Sequence, residues 1–281
     1  MDVFAMQEIC PYEVAAFGYS NFCGLFTKQE WINFDYGISR RLYREFFSEN
    51  PTDRAQGIGY VQELLARLKN EYLFVSHTSV DSTLDNNPTT FPLGQPFYLD
   101  MTHDSTISTV LLALGLDYFK GPPTGLPYNI PHAPNPPKHF RVSDIAPFGA
   151  RLYTEVLTCS TPNPKVNKGH RRAIYSNLNI RNGWTFIRML LNEKPPPLHT
   201  LGCPYRSDGL CSLKDFLATQ EESTAKAQYA TACFGNYVVN EPITSQAANG
   251  NLDDCPKKCH NWRKLMLELL FNKYLLSSQL V

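Results

Sequence analysis

An excess of either charge is missing from this sequence: 26 Lys and Arg balance 26 Asp and Glu, and the formal net charge is zero. Without a basic surplus the chain lacks the electrostatic footprint of a nucleic-acid binder. Long apolar runs are missing too. The nearest, Leu265 to Leu276, is interrupted by Glu268, Asn272 and Lys273, and falls short of the roughly 20 apolar residues that a bilayer demands. Neither nucleic acid nor a membrane is therefore expected as a partner. The N-terminus lacks the basic start and apolar stretch of a secretory signal, because Met1 is followed by Asp2, Glu8 and Cys10. There is no internal repeat. There is also no Asn-x-Ser/Thr glycosylation acceptor, since the proline spoils Asn87-Pro88-Thr89.

What is present is ordinary for a globular protein: 281 residues, 43% apolar and 19% charged, enough for one large domain or two small ones. Cysteine is the exception. Cys10, Cys23, Cys159, Cys203, Cys211, Cys233, Cys255 and Cys259 are many for a cytosolic enzyme, and most lie in loops rich in Pro and Gly. That usage suits an oxidising, extracellular setting; the alternative is that some are buried free thiols. Extracellular cysteines without a signal segment lead to the expectation that the true start lies upstream.

Residues 1–50 read as mainly helical, with Pro11 able to open a helical turn. Thr27 is placed to cap Lys28-Gln29-Glu30-Trp31, with Glu30 at the capping-box position. Residues 51–69 form a second helix: Tyr60, Val61, Leu64, Leu65 and Leu68 share one face, and Gln62, Glu63 and Arg67 face the other way. Residues 76–96 are a polar surface loop. Phe97-Tyr98-Leu99-Asp100-Met101 reads as a buried strand. Asp104 or Ser105 then caps a helix, Thr106 to Leu116, that is apolar nearly all round. Residues 120–138 hold seven prolines and form an irregular excursion. Strands follow at 151–159 and 185–191, separated by a polar insertion over 160–182 and followed by a turn at Asn192-Glu193-Lys194. A loop with two cysteines spans 195–212. Beyond about 238 the character changes to a linker over 240–254. An amphipathic helix over 255–276 follows, with Trp262, Leu265, Met266, Leu269 and Leu270 on one face.

One segment offers a site with a mechanism: Tyr98-Leu99-Asp100-Met101-Thr102-His103-Asp104-Ser105. A helix that starts after a strand presents free N–H groups and a positive dipole end, which suits phosphate. His103 there can donate a hydrogen bond to a phosphoryl oxygen, and the Asp104 carboxyl can protonate a leaving alkoxide. The dipeptide alone is equally compatible with a histidine that merely caps a helix.

The stretch FYLDMTHDSTISTVLLALGL resembles the C-terminal signature of the histidine acid phosphatases, and its surroundings resemble the fungal phytase branch. FCGLFTKQEWINFDY, QGIGYVQELLARL, TLDNNPTTFPL, APFGARLYTEVLTC and LHTLGCPYRSDGLCSLKDF follow that family's blocks in order, from Met1 to about Tyr237. The resemblance implies an α/β fold of the phosphoglycerate-mutase-like kind. Here that would be a partial, largely parallel sheet flanked by helices, with a smaller helical subdomain over 1–50 and the N-terminal part missing. It makes 1–237 the C-terminal portion of one domain and leaves 238–281 unmatched. It implies hydrolysis of phosphate monoesters at acid pH, phytate or simpler esters, through a phosphohistidine, without metal or cofactor. Carried onto this chain, Asp104 is the general acid and His103 a phosphate ligand. The nucleophile belongs to an Arg-His-Gly-x-Arg-x-Pro motif, and no Arg-His-Gly occurs here. A catalytically silent remnant, or an interaction protein built on the unmatched tail, is therefore the alternative expectation.

The same resemblance pairs Cys10 with Cys23 and Cys203 with Cys211. It bonds the positions of Cys159 and Cys233 to cysteines of the N-terminal half that this sequence lacks, so here they are orphans or pair with each other or with Cys255 or Cys259, which the sequence does not decide. Arg40 and Arg41 lie where the family carries basic residues that attract a polyphosphorylated substrate; they are either a phytate rim or an exposed helical face. Gly169-His170-Arg171-Arg172 reads as a solvated loop. Cys255, Cys259 and His260 lack a fourth ligand and do not make a metal site. An extracellular location is expected.

Overall fold

A computed structural model of the chain describes residues 2–47, 50–120, 140–162 and 184–236. The Pro-rich excursion, the basic loop around His170, the 240–254 linker and the 255–276 helix with Cys255, Cys259 and His260 lie outside the described residues.

Helix α1 (Asp2–Phe17) is followed by Gly18 at φ 76° and a short helical turn, Asn21–Leu25. Pro11 sits inside α1 rather than opening it. A proline there forfeits one helical hydrogen bond, and the Cys10–Cys23 disulfide ties that stretch of helix to the turn. Helix α2 (Lys28–Phe46) begins with the expected capping box. Thr27 Oγ1 accepts from the Glu30 amide at 3.3 Å, and Glu30 Oε2 accepts from the Thr27 amide at 2.7 Å. Helix α3 (Asp53–Lys69) ends on Asn70 in the left-handed region. The loop over 76–96 contains only a single helical turn, α4 (Ser82–Asp85).

Helix α5 (Asp104–Ala113) starts at Asp104, two residues before the expected Thr106, with His103 at the N-cap, and gives way to a turn at Leu114 and Gly115. Its flanks are buried nearly all round: Ile107, Val110, Leu111 and Leu112 pack into the core. Alpha-3 and α5 touch backbone to backbone. A Cβ on Gly57 would fall 2.1 Å from the Thr109 carbonyl oxygen, so only glycine permits the approach. A helical turn, Asp117–Lys120, and α6 (Val142–Ile145) complete this half.

Strands β1 (Leu152–Cys159) and β2 (Trp184–Leu191) pair antiparallel from Leu152 with Leu191 to Cys159 with Trp184. Asn192 and Glu193, both at positive φ, turn the chain after β2. A third strand, β3 (Leu210–Ser212), lies within the stretch read as loop and pairs antiparallel with β2. Cys211 on β3 is bonded to Cys203. The short helices α7 (Leu213–Thr219), α8 (Ser223–Ala227) and α9 (Tyr229–Phe234) follow. One apolar core runs from Tyr43 on α2 and Phe47 just beyond it, through Ile58, Leu111 and Leu112, to Ile187 and Met189 on β2 and Phe216 on α7.

Two expectations need correction. The sheet of the described residues is three-stranded and antiparallel, in the order β1-β2-β3, rather than largely parallel. β1 pairs with β2 in antiparallel register from end to end, and β3 pairs with β2 in the same sense. Residues 97–101 are not a buried strand. Among the described residues no main-chain hydrogen bond joins them to another segment, so their backbone has no ladder, and Phe97, Leu99 and Met101 are 69%, 71% and 89% exposed.

Candidate active site

The chain enters α5 through His103, whose backbone is extended (φ −82°, ψ 159°) and whose side chain makes no capping bond. Its imidazole is exposed and free to meet a ligand at the positive end of the ten-residue helix α5. Asp104 is the first helical residue. It is also exposed, and its Oδ1 accepts from the Ser105 amide at 2.7 Å. The helix terminus thereby orients the carboxylate. Thr102 Oγ1 donates to Thr106 Oγ1 at 2.9 Å across the turn, closing the loop around the pair. An imidazole donor and a carboxyl on adjacent residues at a helix N-terminus can bind an anion and move a proton to its leaving group.

Arg40 and Arg41 sit on α2. The Arg40 guanidinium lies 5.9 Å from the Tyr43 ring centroid, and exposed Arg41 pairs with Glu45 one turn along at 3.3 Å. Such an exposed pair contributes little to stability. Cys159 on β1 and Cys233 on α9 are free thiols, half-buried and exposed respectively, and burial is the first cause that raises both above the usual thiol value. Among the described residues no cluster of three or more His, Cys, Asp or Glu is arranged to hold a metal ion. A groove of about 280 Å³ between α1 and α2, with Val3, Phe4, Phe26 and Phe34 in its lining, includes neither His103 nor Asp104.

Sequence reasoning missed the group behind the pair. Arg67 on α3 does not face solvent; its side chain is 13% exposed. Nη1 donates to Asp100 Oδ2 at 2.6 Å, and Nη2 donates to Asp100 Oδ1 at 3.1 Å and to Glu63 Oε2 at 3.2 Å. The guanidinium carbon lies 5.1 Å and 4.8 Å from the ring centroids of Phe91 and Tyr98. Burial, then the negative charge of Asp85, pushes the Glu63 carboxyl up, against the pull of Arg67. Burial likewise raises Asp85, whose Oδ2 has no partner among the described residues. Gln62, also read as outward-facing, is buried and bonds Ser76 and Thr224. The available signal was Glu63 and Arg67 at i,i+4 spacing, with Asp100 alone in an apolar run.

Compared with known proteins, residues 1–192 match the family model of the histidine phosphatase superfamily (branch 2). The chain is 32% identical over 221 residues to Phytase A of Aspergillus fumigatus, with 77% of this chain and 42% of that protein covered. It is 31% identical over 238 residues to a Phytase A of Aspergillus terreus, covering 83% and 45%. To Phytase A of Penicillium oxalicum it is 28% identical over 221 residues, covering 76% and 42%. The chain thus spans less than half the length of these relatives. With well over half of its residues matched by the family model and the exposed His-Asp pair at the head of α5, the chain belongs to branch 2 of the histidine phosphatase superfamily.

Proposed function

We propose that this chain carries the acid side of a phosphomonoester-hydrolysing site of the phytase kind, acting on phytate or simpler monoesters. His103 holds a phosphoryl oxygen, and Asp104, protonated at acid pH, gives its proton to the leaving alkoxide. The observation that carries the reading is the exposed His103-Asp104 pair at the N-terminus of α5 in a chain of this family. Arg40 and Arg41 supply positive charge to the polyphosphorylated ester. Residues 1–237 act as one unit in this reading. The disulfides Cys10–Cys23 and Cys203–Cys211 support an extracellular setting.

By the resemblance, the phosphate is taken up by a histidine in Arg-His-Gly-x-Arg-x-Pro, and the 281 residues contain no Arg-His-Gly. The phosphohistidine is therefore supplied from outside them, and that same absence favours a second reading in which this chain by itself is silent. The test is to read the 5′ end of the transcript and assay its complete product against phytate and p-nitrophenyl phosphate at acid pH. Turnover is expected from a product that carries the motif, with a loss of about 10²- to 10⁴-fold in Asp104→Asn. The 281 residues alone should stay within about tenfold of background. A motif-bearing product that hydrolyses neither ester overturns the phosphatase reading. A transcript without the motif leaves the silent reading.

A further inference from the structure

We infer that Arg67 is the positioning residue of this site: by clamping Asp100 it fastens the segment that ends in His103 and Asp104 against α3. The inference rests on the reading of that pair given above. Residues 97–103 form neither helix nor strand, and among the described residues no main-chain hydrogen bond joins 97–102 to another element. Apolar burial does not hold them either, since Phe97, Leu99 and Met101 are exposed. Besides the Thr102–Thr106 hydrogen bond to the first turn of α5, Arg67 is what reaches the segment among the described residues. It grips both oxygens of Asp100, donates from Nη2 to Glu63 as well, and lies over the rings of Phe91 and Tyr98. Exposed ion pairs hold little. This one is largely covered on the arginine side, bidentate and stacked, the geometry in which a planar guanidinium fixes its partner's orientation. Asp100 precedes His103 by three residues, so slack at Asp100 passes directly to the imidazole and to the Asp104 carboxyl. A lysine at position 67 would keep the charge but lose the fork.

The test has two arms. In the 281-residue chain, ¹⁵N relaxation of Arg67→Met and Asp100→Asn should show order parameters over 97–103 falling from about 0.85 to below about 0.6, with α3 and α5 unchanged. Arg67→Lys should lie between. In the complete, motif-bearing product, Arg67→Met should lower kcat by about 10- to 100-fold while KM stays within about threefold, as expected when reacting groups are misplaced rather than lost. Unchanged order over 97–103 overturns the inference. So does order lost equally from α3 and α5, which would make Arg67 a general fold support, or local disorder with unchanged kcat. Should the wild-type product hydrolyse no ester, the phosphatase reading falls, and the relaxation arm alone still decides whether Arg67 holds the segment.

Discussion

Asp104 and its neighbours differ in how far a sequence reveals them. His103 and Asp104 are adjacent, and the strand-like run, the turn and the helix that follow are written within about twenty residues, so the pair and its place at a helix start were legible. The Arg67–Asp100 clamp joins residues 33 apart, and no local pattern announces which carboxylate an arginine will choose. The carboxyls around it make a testable prediction. Glu63 and Asp85 are raised in the folded state, chiefly by burial, so the folded chain holds their protons more tightly than the unfolded chain. Their contribution to stability is full below the ordinary carboxylate value of about 4 and is lost as pH rises through the raised values. Asp208 works in the opposite sense: burial pushes it up, but the Arg206 hydrogen bond and other partners leave it lowered, so its contribution is lost as pH falls. Urea unfolding from acid to neutral pH should therefore show a smaller loss on raising pH in Glu63→Gln than in wild type. An identical slope would show that Glu63 does not hold its proton.

Among the elements, α2 was legible because its cap is local: Thr27 and Glu30 lie three residues apart and satisfy each other. Thr27→Ala should cost about 1 kcal/mol, read as a shifted denaturant midpoint. The helix-on-helix contact was not legible, because Thr109, the partner of Gly57, lies on α5 more than fifty residues along. A methyl there would push the two backbones apart. Gly57→Ala should cost about 1–3 kcal/mol despite alanine's better helix propensity, and circular dichroism on thermal unfolding measures it. The segment 97–101 misled for a related reason. An apolar, aromatic run suggests a buried strand, but a strand exists only where another backbone lies alongside to complete its ladder. The apolar residues of β2 had that company in β1 and β3, and Phe97, Leu99 and Met101 did not.

Across the whole molecule, helices α2, α3, α5 and α7 and the sheet share one apolar core, whereas α1 stands largely apart. Val3, Tyr12, Val14 and Phe17 on α1 are exposed, and the covalent link from Cys10 to Cys23 does much of the holding. A disulfide closing a loop of this size contributes about 3 kcal/mol in the chain-entropy view. Reduction should accordingly release α1 first, detected as early proteolytic cleavage within 2–20 while 53–113 resists. The exposed Phe97, Leu99 and Met101 form an apolar stretch of the kind that drives self-association; Leu99→Lys should lower light scattering at high protein concentration without changing the unfolding midpoint. The far end of α5 adds a matter of timing. The Leu114 carbonyl beyond that helix is met by the side chain of Gln220 at 3.1 Å, and the Ala113 carbonyl by Arg54 at 3.4 Å. Arg54 leaves the ribosome before α5 and Gln220 more than a hundred residues after it. A chain emerging from its N-terminus can dock one end of the site helix early but cannot finish it until α7 is out, so a ribosome stalled before residue 220 would display a His103-Asp104 pair on a helix not yet seated.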